Sequence, residues 1–268
     1  MNFTHHLIGN GTIFAPVNIW RSRRKVVARA AAPKHVDGFF EVFVRNSSAA
    51  VEKLASVAGK GDFSFWDYFS SYTLNTSCKT LFGEDLNLQK NHPFFLAFVE
   101  YFENIAARFC QVWLHLDTIY ELLPVYKKQT NAKKIIHDFI LQALKTSDNN
   151  NLKDTFLDLL IEYFGNDQYT DVELLEESLV LLLASTDTSA TAGCYALLLL
   201  AHHHDVQDKV YNEIHEVFGA SNREITMEDI SKLSYLDAVL KESLRLYPPV
   251  PIIVRKCDRD VELRKELF

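Results

Sequence analysis

Residues 174–202 read LLEESLVLLLASTDTSATAGCYALLLLAH, and this stretch decides the fold. Apolar and small side chains recur in it at steps of three and four, which is the spacing that lines one face of an α-helix. The members of this stripe are Leu175, Leu179, Leu182, Thr186, Ala190, Gly193 and Leu197. The pattern predicts one long, mostly buried helix from about Leu174 to His202.

This helix must be distinguished from a membrane span, because about 20 apolar residues cross a bilayer. Residues 179–201 carry a single charge, Asp187, but it lies near the centre, where a charge costs roughly 2.5–3.5 kcal/mol. Neither flank has a cluster of lysine or arginine, and Glu173, Glu176 and Glu177 make the N-terminal flank acidic. These features favour a central helix in a helical domain.

A polar pair, Asp187 and Thr188, interrupts the middle of the helix. Burying a carboxylate beside hydroxyl groups is costly unless the groups are paired. A threonine within a helix can also hydrogen-bond the carbonyl four residues earlier and distort the turn. Two interpretations follow: a site that handles a proton or a polar ligand, or a structural aspartate that is paired inside the core.

The composition indicates a mainly α protein with a large core. Of the 268 residues, 48% are hydrophobic and 24% charged, and only 9 Gly and 7 Pro interrupt the chain. The net charge of −7 gives no indication of nucleic-acid binding. The four cysteines are far apart, which argues against a zinc site or a secreted disulfide framework. The N-terminus resembles neither a signal peptide nor a membrane anchor, so we expect a reduced, cytosol-facing chain.

Helical periodicity also predicts the elements on either side of the central helix. Thr170 and Glu173 form a capping-box pattern, which marks the N-terminal end of that helix. Pro248 and Pro249 end the helical part and leave Val250–Arg255 as a short extended C-terminal tail. The other predicted helices are Pro16–Ala32, Val36–Val57, Phe65–Leu81, Pro93–Arg108, Thr118–Leu144, Lys153–Tyr163, Val206–Phe218 and Tyr235–Leu246.

A basic cluster lies near the start of the chain, at residues 20–25. Trp20 and Arg24 are four residues apart and share a helix face. An indole donor beside a guanidinium suits a carboxylate or a phosphate, because arginine presents a fixed fork of donors. Arg21 and Lys25 lie on another face, where they are either solvated or attract an acidic partner. Taken alone, the cluster is also compatible with a solvated basic face.

Glu242 and Arg245 are three residues apart on the last predicted helix, and they point away from its apolar stripe. This spacing predicts an exposed ion pair. Residues 202–204 are three consecutive histidines, but neighbours on a helix point about 100° apart and cannot readily chelate one metal ion. Histidines are common at the C-terminal end of a helix, where they interact with the last unpaired backbone carbonyls and with the helix dipole, and this explains them adequately.

The order and spacing of these motifs resemble the cytochrome P-450 monooxygenases, in particular the family-4 animal microsomal branch. The matching segments are Trp20-x-x-x-Arg24, residues 73–83, Ala184–Ser189, residues 234–239 and KESLRLYPPVP at residues 241–251. The last segment, with its Glu-x-x-Arg and Pro-Pro-x-Pro patterns, is the most specific. The resemblance extends from Gly9 to Arg255 and implies one partial domain, residues 1–268, with an incomplete, mainly α P-450 fold.

This resemblance implies a haem cofactor and a reaction that inserts one oxygen atom from dioxygen into a lipophilic substrate. It implies that Trp20, Arg24 and Arg255 bind haem propionates. Asp187 and Thr188 would lie over the haem iron and relay protons to dioxygen, so that the O–O bond breaks heterolytically.

The resemblance also implies the partners. Glu242 and Arg245 would be structural and stabilise the core near the haem, whereas the surface around Arg21 and Lys25 would face an electron donor, an NADPH-dependent reductase. The full-length form would be attached to the cytosolic face of the endoplasmic reticulum membrane. Fatty acids or other lipophilic molecules are the substrate class that the family suggests.

The sequence departs from the family pattern at several positions. The family's axial ligand is a cysteine in a glycine-containing loop well downstream of the Glu-x-x-Arg helix, and Cys257 has no such context. We therefore assign no metal ligand and expect these 268 residues to be an inactive fragment that also lacks the N-terminal anchor. Ser185 replaces the usual glycine beside the oxygen site. Ala184 replaces a glutamate that often links covalently to haem in family-4 members, and His204 replaces the usual proline.

Two other interpretations remain open. In one, the chain is a truncated, non-catalytic helical protein that only interacts with partners. In the other, it is a helical scaffold unrelated to haem, in which Asp187 and the Glu242–Arg245 pair have purely structural roles.

Overall fold

The computed structural model describes residues 5–86, 92–149, 155–164, 170–219 and 223–253. All regular secondary structure in these ranges is helical, which confirms the prediction of a mainly α protein. The α-helices are α1 (His5–Ile8), α2 (Val17–Ala30), α3 (Pro33–Asp37), α4 (Phe40–Ala55), α5 (Phe65–Phe82), α6 (Pro93–Cys110), α7 (Asp117–Tyr120), α8 (Pro124–Asn149), α9 (Phe156–Phe164), α10 (Asp171–His202), α11 (His204–Phe218), α12 (Met227–Lys232) and α13 (Ser234–Leu246). A short 3-10 helix, Val112–His115, precedes α7.

The prediction of one long central helix is confirmed by α10, which spans 32 residues. Its N-terminus carries the predicted capping box: the Thr170 side chain accepts from the Glu173 amide, and the Glu173 carboxylate accepts from the Thr170 amide. The main packing partner of α10 is α5, while α11 and α13 contact its C-terminal part. Among the described helices, none has the length and apolar character needed to cross a membrane.

Burial changes along α10, which corrects the prediction that the whole helix is mostly buried. Leu175, Leu179 and Leu182 are at most 7% exposed and belong to the main core. Leu197 and Leu198, near the other end, are 43% and 51% exposed. The reason is that the first half faces the main core, whereas the second half extends beyond it: there Gly193 still meets Phe69 of α5, and Leu199 and Leu200 border a cavity with α11 and α13.

The main core lies between α5, α6, α8, α9 and the first half of α10. Phe94 of α6 stacks on Phe139 of α8 with ring centroids 4.1 Å apart. Ile136 and Ile140, one helical turn apart on α8, are fully buried. Burying a side chain of this size contributes roughly 1.5–3 kcal/mol, so the α6–α8 contact contributes substantially to the stability of the main core.

Two of the predicted helices are divided in the structure. The predicted helix Thr118–Leu144 breaks before Pro124, because a proline has no N–H to donate and begins a new helix more readily than it continues one. The predicted helix Val36–Val57 is divided near Gly38 into α3 and α4. The remaining predicted helices agree within a few residues, although Lys153, where one was expected to begin, lies outside the described residues.

The short helix α12 is not among the predicted elements, although its signal is present in the sequence. Thr226 and Asp229 form a second capping box at its start. Arg223 donates to both oxygens of the Asp229 carboxylate, over 2.6 and 2.8 Å. Beyond α13, residues 250–253 are irregular, in keeping with a chain that leaves the helix at the two prolines. The last two residues of the predicted tail lie outside the described residues.

Candidate functional site

Asp187 and Thr188, hereafter the α10 pair, lie at the middle of α10, where the helix passes from buried to exposed. The Asp187 side chain is accessible and makes no ion pair with any described residue. Neighbouring helix atoms nevertheless desolvate its carboxylate, and this burial raises the pKa of Asp187 above its ordinary value. Thr188 Oγ1 donates to the Ala184 carbonyl one turn earlier. A carboxyl with a raised pKa beside a hydroxyl is a combination suited to moving a proton.

Ser185, which replaces a glycine of the family pattern, directs its hydroxyl toward α5. Its Oγ lies 2.8 Å from Ser77 Oγ and 2.8 Å from the Leu181 carbonyl oxygen. Residues two apart on a helix point about 200° apart, so Ser185 and Asp187 lie on nearly opposite sides of α10. The additional hydroxyl therefore joins two helices and does not occupy the side on which the Asp187 carboxylate lies.

Trp20 and Arg24, hereafter the α2 face, lie together on the outer side of α2, as their spacing predicts. Both side chains are exposed, and Trp20 is 41% exposed. Neither has an ion-pair partner among the described residues, so the indole N–H and the guanidinium are available to an anion. Arg21 and Lys25 are exposed as well. Arg255, the third predicted anion-binding residue, lies outside the described residues.

The buried cation of α2 is Arg23, which its sequence motif does not distinguish from the neighbouring cations. Arg23 is 2% exposed, and its guanidinium contacts three carboxylates of the first turns of α10. The distances are 3.1 Å to Glu173, 2.9 Å to Glu176 and 3.3 Å to Glu177. A signal for this arrangement existed: glutamates at steps of three and four share one helix face. These four residues are called the Arg23 cluster below.

Glu177 is the most buried carboxylate of the cluster and gives a prediction for pH dependence. It is fully buried and accepts a 2.7 Å hydrogen bond from Thr12 Oγ1. Burial raises its pKa above the ordinary value of 4.5, so the ionised form costs the folded state stability as pH rises beyond that value. We expect Glu177→Gln to gain stability relative to the unmodified chain as pH increases from about 4.5 to neutrality, because glutamine has no charge to bury.

Urea unfolding of the two proteins across this pH range measures the difference. Glu173→Gln is the matched control, because the hydrogen bond from the Thr170 backbone amide lowers the pKa of Glu173, so the change of stability with pH should have the opposite sign. A stability difference between Glu177→Gln and the unmodified chain that does not change with pH would contradict the assignment.

Glu242 and Arg245 form the exposed ion pair that their spacing predicts. The guanidinium donates to both carboxylate oxygens, over 2.8 and 2.7 Å, and the two side chains are 55% and 67% exposed. Glu242 also borders a cavity of about 400 Å³ between α10, α11 and α13. Most of its lining is apolar, and includes Leu199, Leu200, Val206, Val239 and Leu246.

Because the pair is solvated in this chain, we expect Arg245→Leu to leave the urea midpoint of the 268-residue chain almost unchanged. Arg108→Leu serves as the contrasting variant. Arg108 is 6% exposed, donates to the Leu114 carbonyl over 2.8 Å and lies over the Tyr120 ring, so its loss should lower the midpoint clearly. A large effect at Arg245 would show that the pair is coupled to the core of this chain.

Two of the three described cysteines, Cys78 and Cys194, do not have the environment of a reactive or metal-binding thiolate. Cys78 is fully buried, and burial raises the pKa of its thiol well above the ordinary value. Burial also raises the pKa of the Cys194 thiol. Cys110 is exposed at the end of α6, and Cys257 lies outside the described residues. Within the described part of the chain, no group of three His, Cys, Asp or Glu side chains is placed to hold a metal ion.

The comparisons with known proteins all identify the same family. The family model described as Cytochrome P-450 matches residues 2–268. Cytochrome P-450 4c21 of Blattella germanica is 28% identical over 97% of this chain and 56% of its own length. Probable cytochrome P-450 4d21 of Drosophila melanogaster is 30% identical, over 97% of this chain and 57% of its own length. Cytochrome P-450 4V2 of Homo sapiens is 28% identical, over 97% and 54%.

A solved structure supports the same fold. The retinoic acid-bound cyanobacterial CYP120A1 superposes with a TM-score of 0.75 and 23% sequence identity. The match covers 91% of this chain and 54% of that one. The chain thus spans about half the length of the relatives it matches.

Proposed function

Because the chain belongs to the cytochrome P-450 family, we propose that it forms part of a haem-thiolate monooxygenase, which inserts one oxygen atom from dioxygen into a lipophilic substrate. This part would carry the residues on the dioxygen side of the haem and those that bind its propionates. Family membership implies haem as the cofactor. The observation that supports the proposal best is the α10 pair: an accessible carboxyl with a raised pKa and a hydroxyl at the centre of the longest of the described helices.

The residues present fit part of a haem site. The α2 face offers an indole N–H and a guanidinium that has no ion-pair partner among the described residues, and both donors suit a propionate. With a thiolate bound to its iron, haem would supply the activation of dioxygen. The iron ligand has no counterpart among the described cysteines. Of the given residues after Arg245, Cys257 is the one cysteine, and none of these residues is a glycine. We therefore propose that these 268 residues by themselves do not catalyse the reaction.

The proposed work of this chain's own residues is proton handling and binding. Asp187, with its raised pKa, holds a proton closer to neutral pH than an ordinary aspartate does. Thr188 Oγ1, now donating to the Ala184 carbonyl, can exchange that bond for one to a water molecule and so pass a proton on. Trp20 and Arg24 bind the cofactor's carboxylates, and Arg255 is proposed for the same task.

The proposed electron donor is an NADPH-dependent reductase with an acidic docking surface. Arg21 and Lys25 are exposed on α2, next to the α2 face, in a chain whose net charge is −7. A local positive surface on an acidic protein steers an acidic partner to one side of the molecule.

The proposed location is the cytosolic side of the endoplasmic reticulum membrane. Between α6 and α8, six large apolar side chains are 42–85% exposed: Phe109, Val112, Trp113, Leu116, Ile119 and Leu122. Lys127 and Lys128 follow them in the sequence and are exposed near the start of α8. Exposed apolar side chains that include an aromatic residue and are followed by cations are typical of segments that rest in the interface of a bilayer.

A second candidate function is non-catalytic interaction. It is favoured by the apolar side chains that remain exposed on α10 and α13, including Leu197, Leu198, Leu240 and Leu244. If this function is correct, the protein made from the complete transcript binds a partner through this surface and turns over no substrate.

The test uses the protein translated from its complete transcript, loaded with haem and supplied with NADPH and an NADPH-dependent reductase. We expect oxygenated product from at least one member of a panel of medium- and long-chain fatty acids, in proportion to NADPH consumed. A transcript that encodes no cysteine in a glycine-containing loop after Arg245, or a haem-loaded protein that oxygenates nothing, would refute the monooxygenase proposal and favour the second candidate.

A further inference from the structure

The Arg23 cluster connects the two helices that carry the candidate site. Arg23 belongs to α2, one residue before Arg24, and its three glutamates belong to the first two turns of α10. Consecutive helix residues point about 100° apart, so Arg23 can be buried against α10 while Arg24 remains exposed. Helix α2 therefore contacts α10 through Arg23 and exposes Trp20 and Arg24 on another side.

Every carboxylate oxygen of the cluster has a partner. Glu173 accepts from Arg23 with one oxygen and from the Thr170 amide with the other. Glu176 accepts from Arg23 and from the Asn10 amide, over 2.9 Å each. Glu177 accepts from Arg23 and from Thr12 Oγ1. A network in which all acceptors are used fixes the geometry of its members.

The loop before α2 is shaped to this cluster. Arg23 donates to the Asn10 carbonyl over 2.7 Å, which ties the loop to the guanidinium. Gly9 has a φ of +59°, and a Cβ there would lie 2.1 Å from Glu176 Oε1. A Cβ on Gly11 would lie 2.7 Å from the Glu176 backbone oxygen. Only glycine at both positions lets the loop pass this close to α10.

From these contacts we infer that Arg23 is a positioning residue: its side chain ties α2, which packs mainly on α9, to the first two turns of α10 and so fixes the α2 face relative to the α10 pair. The inference rests on the proposed function of those two sites. The ionic network is the rigid part of the link, since one buried cation among three carboxylates can adopt few alternative arrangements. Loss of Arg23 should free α2 locally before it affects the distant α6–α8 core.

Hydrogen exchange of the 268-residue chain, read by mass spectrometry of its peptides, tests this inference without haem. In Arg23→Met we expect exchange in residues 9–30 and 170–182 to rise by at least about tenfold, at labelling times at which α8 is still protected. Arg23→Lys keeps the positive charge but loses the forked N–H donors of the guanidinium, so it should raise the exchange rate by an intermediate amount. Arg45→Met is the matched control, because Arg45 is 60% exposed and its nearest carboxylate, on Asp85, is 3.7 Å away.

A merely stabilising role makes a different prediction: α2, α10 and α8 would then lose protection together in Arg23→Met, and that result would overturn the inference. If Arg23→Met does not fold, the unmodified chain in rising, sub-denaturing urea gives the answer. We expect residues 17–30 and 171–182 to lose protection at the same urea concentration, as one unit; earlier loss in α2 would overturn the inference. Because no haem is involved, failure here leaves the monooxygenase proposal standing, and failure of that proposal leaves this result standing.

Discussion

Replacing Asp187 by asparagine is expected to lower product formation by the haem-loaded, reductase-coupled protein roughly 10²-fold to 10⁴-fold, which is the usual contribution of a positioned proton donor. Asparagine keeps the shape of the side chain but can neither hold nor release the proton. Substrate binding, followed by the optical shift of the haem, should change little, because the expected effect is on turnover and not on affinity.

The control for this substitution is Asp237→Asn, a surface carboxylate on α13 that pairs with Lys241 over 2.6 Å. It should leave turnover unchanged. Thr188→Ala should also lower product formation, with recovery in Thr188→Ser, because serine restores the hydroxyl. Equal turnover in Asp187→Asn and the unmodified protein would show that the α10 pair has only a structural role.

Replacing Gly193 by alanine is expected to destabilise the chain by about 1–3 kcal/mol, the usual cost of overpacking a filled core. A Cβ at this position would lie 2.0 Å from Phe69 Cε1 of α5. The ring cannot easily move aside, since it stacks on Phe65 and contacts Tyr72, with centroids 5.5 Å away in both cases. At a solvent-exposed helix position, the same substitution increases stability by about 1 kcal/mol. The sign of the stability change therefore shows whether Phe69 packs against Gly193.

Urea unfolding measures this change, and two variants keep it interpretable. Gly38→Ala is the matched control, because Gly38 has a φ of −61° and its Cβ would meet only the His35 carbonyl, at 3.2 Å. Phe69→Leu combined with Gly193→Ala should recover part of the loss, as expected for two residues in contact. A stabilised Gly193→Ala chain would mean that α5 and α10 do not approach each other this closely.

The features predicted correctly from the sequence are those set by neighbours along the chain. The period of the apolar residues and the Thr170–Glu173 pattern were sufficient to place α10. The four-residue spacing of Trp20 and Arg24 placed both on one face of α2, and the three-residue spacing of Glu242 and Arg245 predicted their exposed pair.

What the sequence did not reveal depends on contacts between distant segments. Arg23 meets its glutamates across about 150 residues, and periodicity alone does not say which of several adjacent cations turns inward. The direction of the Ser185 hydroxyl depends on Ser77, which lies 108 positions earlier. Likewise, the exposure of Leu197 and Leu198 depends on which helices cover α10, and an apolar sequence does not contain that information.

We propose that these 268 residues hold the residues on the dioxygen side of a haem site and those that bind its propionates, but not the thiolate ligand of its iron. The carbon monoxide difference spectrum of the reduced, haem-supplemented protein tests it most directly, recorded for the 268-residue chain and for the protein translated from the complete transcript. We expect a thiolate-type Soret band from the latter and none from the 268-residue chain. A thiolate-type band from the 268 residues alone, or its absence from both proteins, would contradict the account.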